Sequence, residues 1–193
     1  MVSVCYIVKS DYWITKLVIE NLIRRASGCE IELLVCNTTK DERTKDYLNN
    51  LIKNEEFTNL MTVLIDEKED CGLYLYVDLF ANAKGDYICV HPERIFVENN
   101  YIVDLCYANY NIEKSGLTAI KNDVKDLELV PLLMSTKDEF QYVWKSKKNQ
   151  VNGVYVFKKS ILSILNDIHK FNSELTEQGF NNYYLTNQNA TNV

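Results

Sequence analysis

Residues 70–95, DCGLYLYVDLFANAKGDYICVHPERI, carry the pattern that decides the fold. They read as a short loop with Gly72, then a helix marked by Leu73, Val77, Phe80 and Ala81 and closed by Gly85 at a C′ position. A buried strand follows over residues 87–90, and Glu93 comes just past its carboxyl end. In open α/β sheets that end is where ligands bind, so His91-Pro92-Glu93 is the first place to look for chemistry.

Working outward, the same alternation recurs on both sides. Residues 2–8, VSVCYIV, are almost continuously apolar, as a strand buried on both faces requires. Ile14, Leu17, Val18 and Leu22 then recur at helical spacing until Ser27-Gly28. A second strand covers residues 31–35, and Thr39-x-x-Glu42 has the form of a capping box opening a helix with Tyr47, Leu48, Leu51 and Ile52. Residues 60–65 make a third strand. Beyond the central stretch, Asn99 or Asn100 caps a helix containing Ile102, Val103 and Cys106, and residues 117–120 form a further strand. Repeated βα units predict an α/β fold with a mostly parallel central sheet and helices on both faces.

The last third is less regular. Thr136-x-x-Glu139 reads as another capping box, opening a helix through Phe140, Val143 and Trp144. Residues 151–157 read as a strand interrupted by Gly153, and Ser160 as the cap of a helix with Ile161, Ile164, Leu165 and Ile168. Residues 1–186 are expected to form a single domain, with residues 187–193 fraying.

Composition bounds the function. The 193 residues suit one domain with a sizeable core, and 47% apolar with 25% charged residues is ordinary for a globular chain. A formal charge of -6 argues against broad nucleic-acid binding, which needs a basic face. Six scattered cysteines without CxxC spacing, and only two histidines, speak against a zinc site and for reduced, buried thiols in a cytoplasmic protein. No apolar run approaches membrane-spanning length, and the N-terminus lacks the basic and apolar regions of an export signal. Gly-x-Gly-x-x-Gly, Walker-type and Gly-x-Ser-x-Gly motifs are missing.

Several segments, in order, resemble the GT-A-fold nucleotide-sugar glycosyltransferases, particularly the large family-two group, over residues 2 to about 180. Val2-Ser3-Val4-Cys5-Tyr6-Ile7-Val8 is similar to that family's first strand. Val35-Cys36-Asn37-Thr38-Thr39-Lys40-Asp41 stands where the family has Val-Asp-Asn-x-Ser-x-Asp. Asp70-Cys71-Gly72 and Ala83-Lys84-Gly85-Asp86-Tyr87-Ile88 look like its Asn-x-Gly and Ala-x-Gly-Asp/Glu-Tyr-Ile elements. His91-Pro92-Glu93 looks like the Asn-Pro-Asp variant of its Asp-x-Asp element.

The resemblance implies a GT-A-like, Rossmann-like fold and an inverting transfer of sugar from a nucleotide diphosphate sugar to a glycan, lipid or protein acceptor. It implies nucleotide contacts from Val8, Ser10, Cys36, Asn37, Asp41 and Gly72. Mg²⁺ or Mn²⁺ held by Glu93, with His91 beside it, would neutralise charge on the diphosphate leaving group. Glu177 or Glu174 would take the acceptor's proton, standing where the family has a Glu-Asp pair. Read from the residues alone, Glu93 is a solvated acid beside Arg94 in a turn, Thr39 and Asp41 a cap and first-turn acid, and Glu177 an exposed acid.

The chain also departs from the pattern. Cys36 replaces the base-recognising Asp, His91 replaces the first polar residue of the metal element, and Gln178 follows Glu177 instead of Asp. A second reading therefore stands beside the enzyme: a catalytically inactive GT-A-like module, binding or structural, within a homo-oligomer or a larger assembly, a viral one included.

Overall fold

The computed structural model describes residues 1–26, 28–53, 60–65, 74–97, 100–120, 127–136, 139–146, 153–167, 170–185 and 190–192. In chain order the elements are β1 (Val2–Val8), α1 (Tyr12–Arg25), β2 (Ile31–Asn37), α2 (Glu42–Lys53), β3 (Leu60–Ile65), α3 (Tyr74–Asn82), β4 (Tyr87–His91) and β5 (Ile95–Val97). They continue as α4 (Tyr101–Asn111), β6 (Ser115–Ile120), β7 (Leu127–Thr136), β8 (Glu139–Ser146), β9 (Tyr155–Lys158), a 3₁₀ turn (Lys159–Ile164), α5 (Phe171–Glu177), β10 (Asn181–Leu185) and β11 (Ala190–Asn192).

Among the described residues nine strands form one sheet, in the order β3-β2-β1-β4-β9-β6-β10-β8-β7. Strands β1, β2, β3, β4, β6, β7 and β10 run one way, and β8 and β9 run against them. The sheet is thus mixed and mostly parallel, as the βα alternation predicts. The antiparallel β9 is wedged between β4 and β6, a placement that local patterning does not reveal.

Every side chain of β1 and β2 is buried because helices cover both faces. On one face, Val4, Tyr6, Leu33 and Val35 pack with Val18, Ile19 and Leu22 of α1, Leu48 and Leu51 of α2, and Ile102 and Leu105 of α4. On the other, Cys5, Ile7, Leu34 and Cys36 pack with Leu75 and Leu79 of α3, Ile161 of the 3₁₀ turn and Leu175 of α5. Period-2 alternation inside a continuous apolar run gives each face its own core.

Several local expectations change. Asp41, not Thr39, caps α2: its carboxylate accepts from the Thr44 amide at 3.2 Å and the Thr44 hydroxyl at 2.7 Å. Asn100 precedes α4 without a side-chain capping bond, and Asn99 lies outside the described residues. Leu127–Thr136 and Glu139–Ser146 form the antiparallel pair β7 and β8 where Thr136-x-x-Glu139 predicts a helix. The segment after Ser160 is a 3₁₀ turn rather than an α-helix. Ala190–Asn192 pairs antiparallel with Ile95–Val97 instead of fraying.

Gly28, at φ 94, supplies the left-handed residue that ends the α1 segment, as expected. Gly85 has a different reason. The helix stops at Asn82, and a Cβ on Gly85 would lie 2.7 Å from the Ser3 amide nitrogen and 2.9 Å from the Met1 carbonyl oxygen. Its amide donates to Ser3 Oγ at 2.8 Å, while Ser3 Oγ donates to the buried Glu32 carboxylate at 2.7 Å. Gly85 is required by close approach to β1, not by a positive φ at a helix end.

Candidate functional site

Strand order places the site. The order of strands reverses between β1 and β4: from β1 the chain moves outward to β2 and β3, then returns to β4 on the other side of β1. The carboxyl ends of these adjacent parallel strands form the crevice where open α/β sheets take ligands. Two loops flank it, residues 9–11 after β1 and residues 92–94 after β4.

Side chains bridge these loops. Glu93 Oε1 accepts from the Lys9 amide at 2.6 Å and also from the Ser10 amide. Arg94 Nε donates to Ser10 Oγ at 3.0 Å. Hydrogen bonds to a charged partner contribute roughly 1.5–3 kcal/mol each when sheltered from water. Arg94 adopts φ 63, a left-handed conformation that costs a non-glycine residue on the order of 1 kcal/mol or more. That backbone turn lets neighbouring residues present opposite charges to the β1 loop.

The sequence-predicted residues divide by location. Val8, Ser10 and Glu93 come together at the crevice; Asn37 ends the adjoining β2, and Asp41 lies on the loop after it. The Val8 carbonyl accepts from the Thr38 amide at 3.0 Å and the Thr38 hydroxyl at 2.8 Å, joining the ends of β1 and β2. Asn37 Oδ1 accepts from the Thr39 amide at 3.1 Å. The Thr44 hydroxyl, more than nearby Arg43, holds the Asp41 carboxyl below its ordinary range. Asp11, beside Ser10, caps α1 by accepting from the Trp13 and Ile14 amides.

Cys36 does not face the crevice: its side chain is buried on the α3 side of the sheet. His91 is also internal. Its ring is 0% exposed, 6.0 Å from Tyr6 and 5.9 Å from Tyr101 between centroids. Nδ1 lies 3.1 Å from the Pro92 carbonyl oxygen, and burial pushes the imidazole down to about 4. Both faces of the sheet are covered, and alternation puts His91, the last residue of β4, on the face of Cys89, against Tyr101 of α4. Gly72 lies outside the described residues.

Neither predicted base reaches the crevice. Val4, Cys89, Val156 and Thr118 share one row across the sheet. Val8 lies four residues above that row and Ser115 three below it, a separation of about 23 Å along the strands. Asn181 pairs with Ser115, so Glu177, at the end of α5 just before that strand, belongs to the amino edge. Glu174 is occupied: its carboxylate accepts from the Asn166 amide at 2.6 Å and the Asp167 amide at 3.1 Å. A groove of about 560 Å³ also opens at the amino edge, lined in part by Lys84, Asp86, Tyr110 and Lys158. It lies opposite the switch point and contains none of the predicted site residues.

Arg94 is the site residue that sequence reading passes over. Its signal is slight, an arginine directly after an acid in a turn at a strand's carboxyl end.

No protein-family model matches the sequence, and no curated protein matches it. Solved structures do. A mannosyltransferase from Pyrobaculum calidifontis in complex with GDP-Man and Mn²⁺ superposes with TM-score 0.67 at 10% identity, covering 94% of this chain and 53% of that one. GalNAc-T7 with UDP, GalNAc and Mn²⁺ gives 0.72 at 12% identity, covering 99% and 42%. S. aureus TarS 1-349 in complex with UDP-GlcNAc gives 0.65 at 11% identity, covering 96% and 56%. The chain spans about half the length of these structures.

The chain has a GT-A-like glycosyltransferase fold. No helix among the described residues is long and apolar enough to cross a membrane.

Proposed function

We propose that this chain binds a nucleotide diphosphate sugar in the crevice between β1 and β4 and transfers the sugar, with inversion, to an acceptor hydroxyl. One observation carries the reading: the bridged loops after β1 and β4 sit at the switch point of a GT-A-like sheet. In such a transfer the acceptor oxygen bonds to the anomeric carbon and loses its proton. The bond from that carbon to the diphosphate breaks, and its electron pair stays on the departing phosphate oxygen. In this reading Ser10 and Asn37, at the carboxyl ends of β1 and β2, contact the nucleotide, while the Lys9 and Ser10 amides stay with Glu93. Glu174 and Glu177 take no part, because neither reaches this edge.

The Mn²⁺ of the neighbouring structures belongs to those proteins. Here Glu93 gives one oxygen to two amides, and His91 is enclosed in the core. Among the described residues no group of three or more His, Cys, Asp or Glu side chains converges as a metal site. The donor set of the described residues does not fit a divalent ion, and no step is assigned to one.

The buried Cys36 and the misplaced Glu177 favour a second reading, a GT-A-like module that binds without transferring. Incubation with UDP-, GDP- and dTDP-sugars separates the two. Binding with release of the free nucleoside diphosphate supports transfer or hydrolysis, and binding without release supports the module. No binding of any donor or nucleoside diphosphate overturns both.

A further inference from the structure

We infer that Arg94 supplies the positive charge facing the diphosphate of the bound nucleotide, a role that rests on the nucleotide-sugar reading above. The turn after β4 divides its charges. The carboxylate of Glu93 is drawn onto the Lys9 and Ser10 amides, whereas Arg94 is exposed and held at the crevice by one bond from Nε to Ser10 Oγ. That bond leaves the two terminal guanidinium nitrogens, and their parallel N–H groups match the geometry of phosphate oxygens.

Arg94 sits in a left-handed backbone conformation, and its side chain reaches the loop after β1. Negative charge that accumulates on the leaving diphosphate during C–O cleavage is met by a fixed cation needing no reorganisation. Arg94 forms no covalent bond and moves no proton; the acceptor's proton leaves separately, to solvent or a base. The assignment also accounts for the isolated carboxylate in this turn: Glu93 fastens the loop that aims the guanidinium.

The test measures binding of UDP, GDP and dTDP, and of the corresponding nucleosides, to the full chain and to Arg94→Gly and Arg94→Lys. Each titration is run once in EDTA and once in Mn²⁺. Glycine accepts φ 63 without strain, so Arg94→Gly removes the charge while keeping the turn; relief of the left-handed strain offsets part of the lost bond to Ser10 Oγ, and the thermal midpoint should fall only slightly. The expected result is nucleoside diphosphate binding that persists in EDTA and weakens at least about tenfold in Arg94→Gly, as loss of charge-assisted bonds predicts. Nucleoside binding should stay unchanged, and Arg94→Lys should fall between. Diphosphate binding that is lost in EDTA, or that is indifferent to Arg94→Gly, overturns the role of Arg94 while leaving the nucleotide-sugar reading intact. If wild-type chain binds no nucleoside diphosphate in either buffer, both fall together.

Discussion

Arg94 Nε donates to Ser10 Oγ at 3.0 Å, fastening the turn after β4 to the loop after β1. Together with the Glu93 contacts, this makes the carboxyl edge at the switch point a preorganised surface rather than two independent loops. Preorganised donors and charges are effective toward a developing anion because they need not reorient during reaction.

Glu93→Ala removes the acceptor shared by the Lys9 and Ser10 amides. The Lys9 contact is exposed and the Ser10 contact only part-buried, so the expected loss is at the lower end for charge-assisted bonds, about 1–2 kcal/mol. Urea unfolding in EDTA checks this. An unchanged midpoint shows that Glu93 does not fasten the loop.

His91 makes stability fall in acid. Its pKa is pushed from an ordinary 6.5 to about 4 in the folded chain, chiefly by burial. The unfolded chain therefore takes up a proton as pH falls through 6.5, while the folded chain resists until about 4. The stabilisation is fully present above 6.5 and is lost across that window, about 3 kcal/mol in all. Denaturation of wild type and His91→Gln at pH 7 and pH 4.5 should show a smaller acid loss in the variant. Equal losses place the acid sensitivity elsewhere.

Gly85→Ala forces a methyl against the backbone of β1, where the nearest atoms are the Ser3 amide nitrogen and the Met1 carbonyl oxygen. Neither can rotate away, so a loss of roughly 1–3 kcal/mol is expected. A helix-ending role would demand a positive φ, which Gly85 does not have. A thermal midpoint equal to wild type contradicts the close-approach account.

Glu174 and Glu177 should behave differently although they lie three residues apart. Glu174→Ala deprives the Asn166 and Asp167 amides of their acceptor and should cost about 1–2 kcal/mol. Glu177→Ala changes an exposed side chain at the amino edge and should fall within about 0.5 kcal/mol, with nucleotide binding and any transfer unchanged. Loss of transfer in a folded Glu177→Ala protein contradicts the edge assignment.

Much of the sheet is legible because its signals are local. The apolar runs of β1, β2 and β4, and the helical spacing of Leu17, Val18 and Leu22, point to the same α/β alternation that is observed. What sequence misses depends on distant partners. Ser3 explains Gly85, yet lies 82 residues away. Thr136-x-x-Glu139 has helix-capping form, but the pairing of β7 with β8 overrides that propensity. Strand alternation from Cys89 would have placed His91 in the core, had the strand been extended by one residue. Arg94 is hidden for another reason: its position depends on a left-handed turn that sequence pattern does not specify for an arginine.

Amide chemical-shift mapping with UDP, GDP and dTDP tests the central claim most directly, because the two edges of the sheet carry distinct residues. The account predicts shifts gathered on Lys9, Ser10, Asn37, Glu93 and Arg94 for at least one nucleotide. Shifts confined to the amino-edge groove around Lys84, Asp86 and Lys158, or none from any of the three at millimolar concentration, would contradict it.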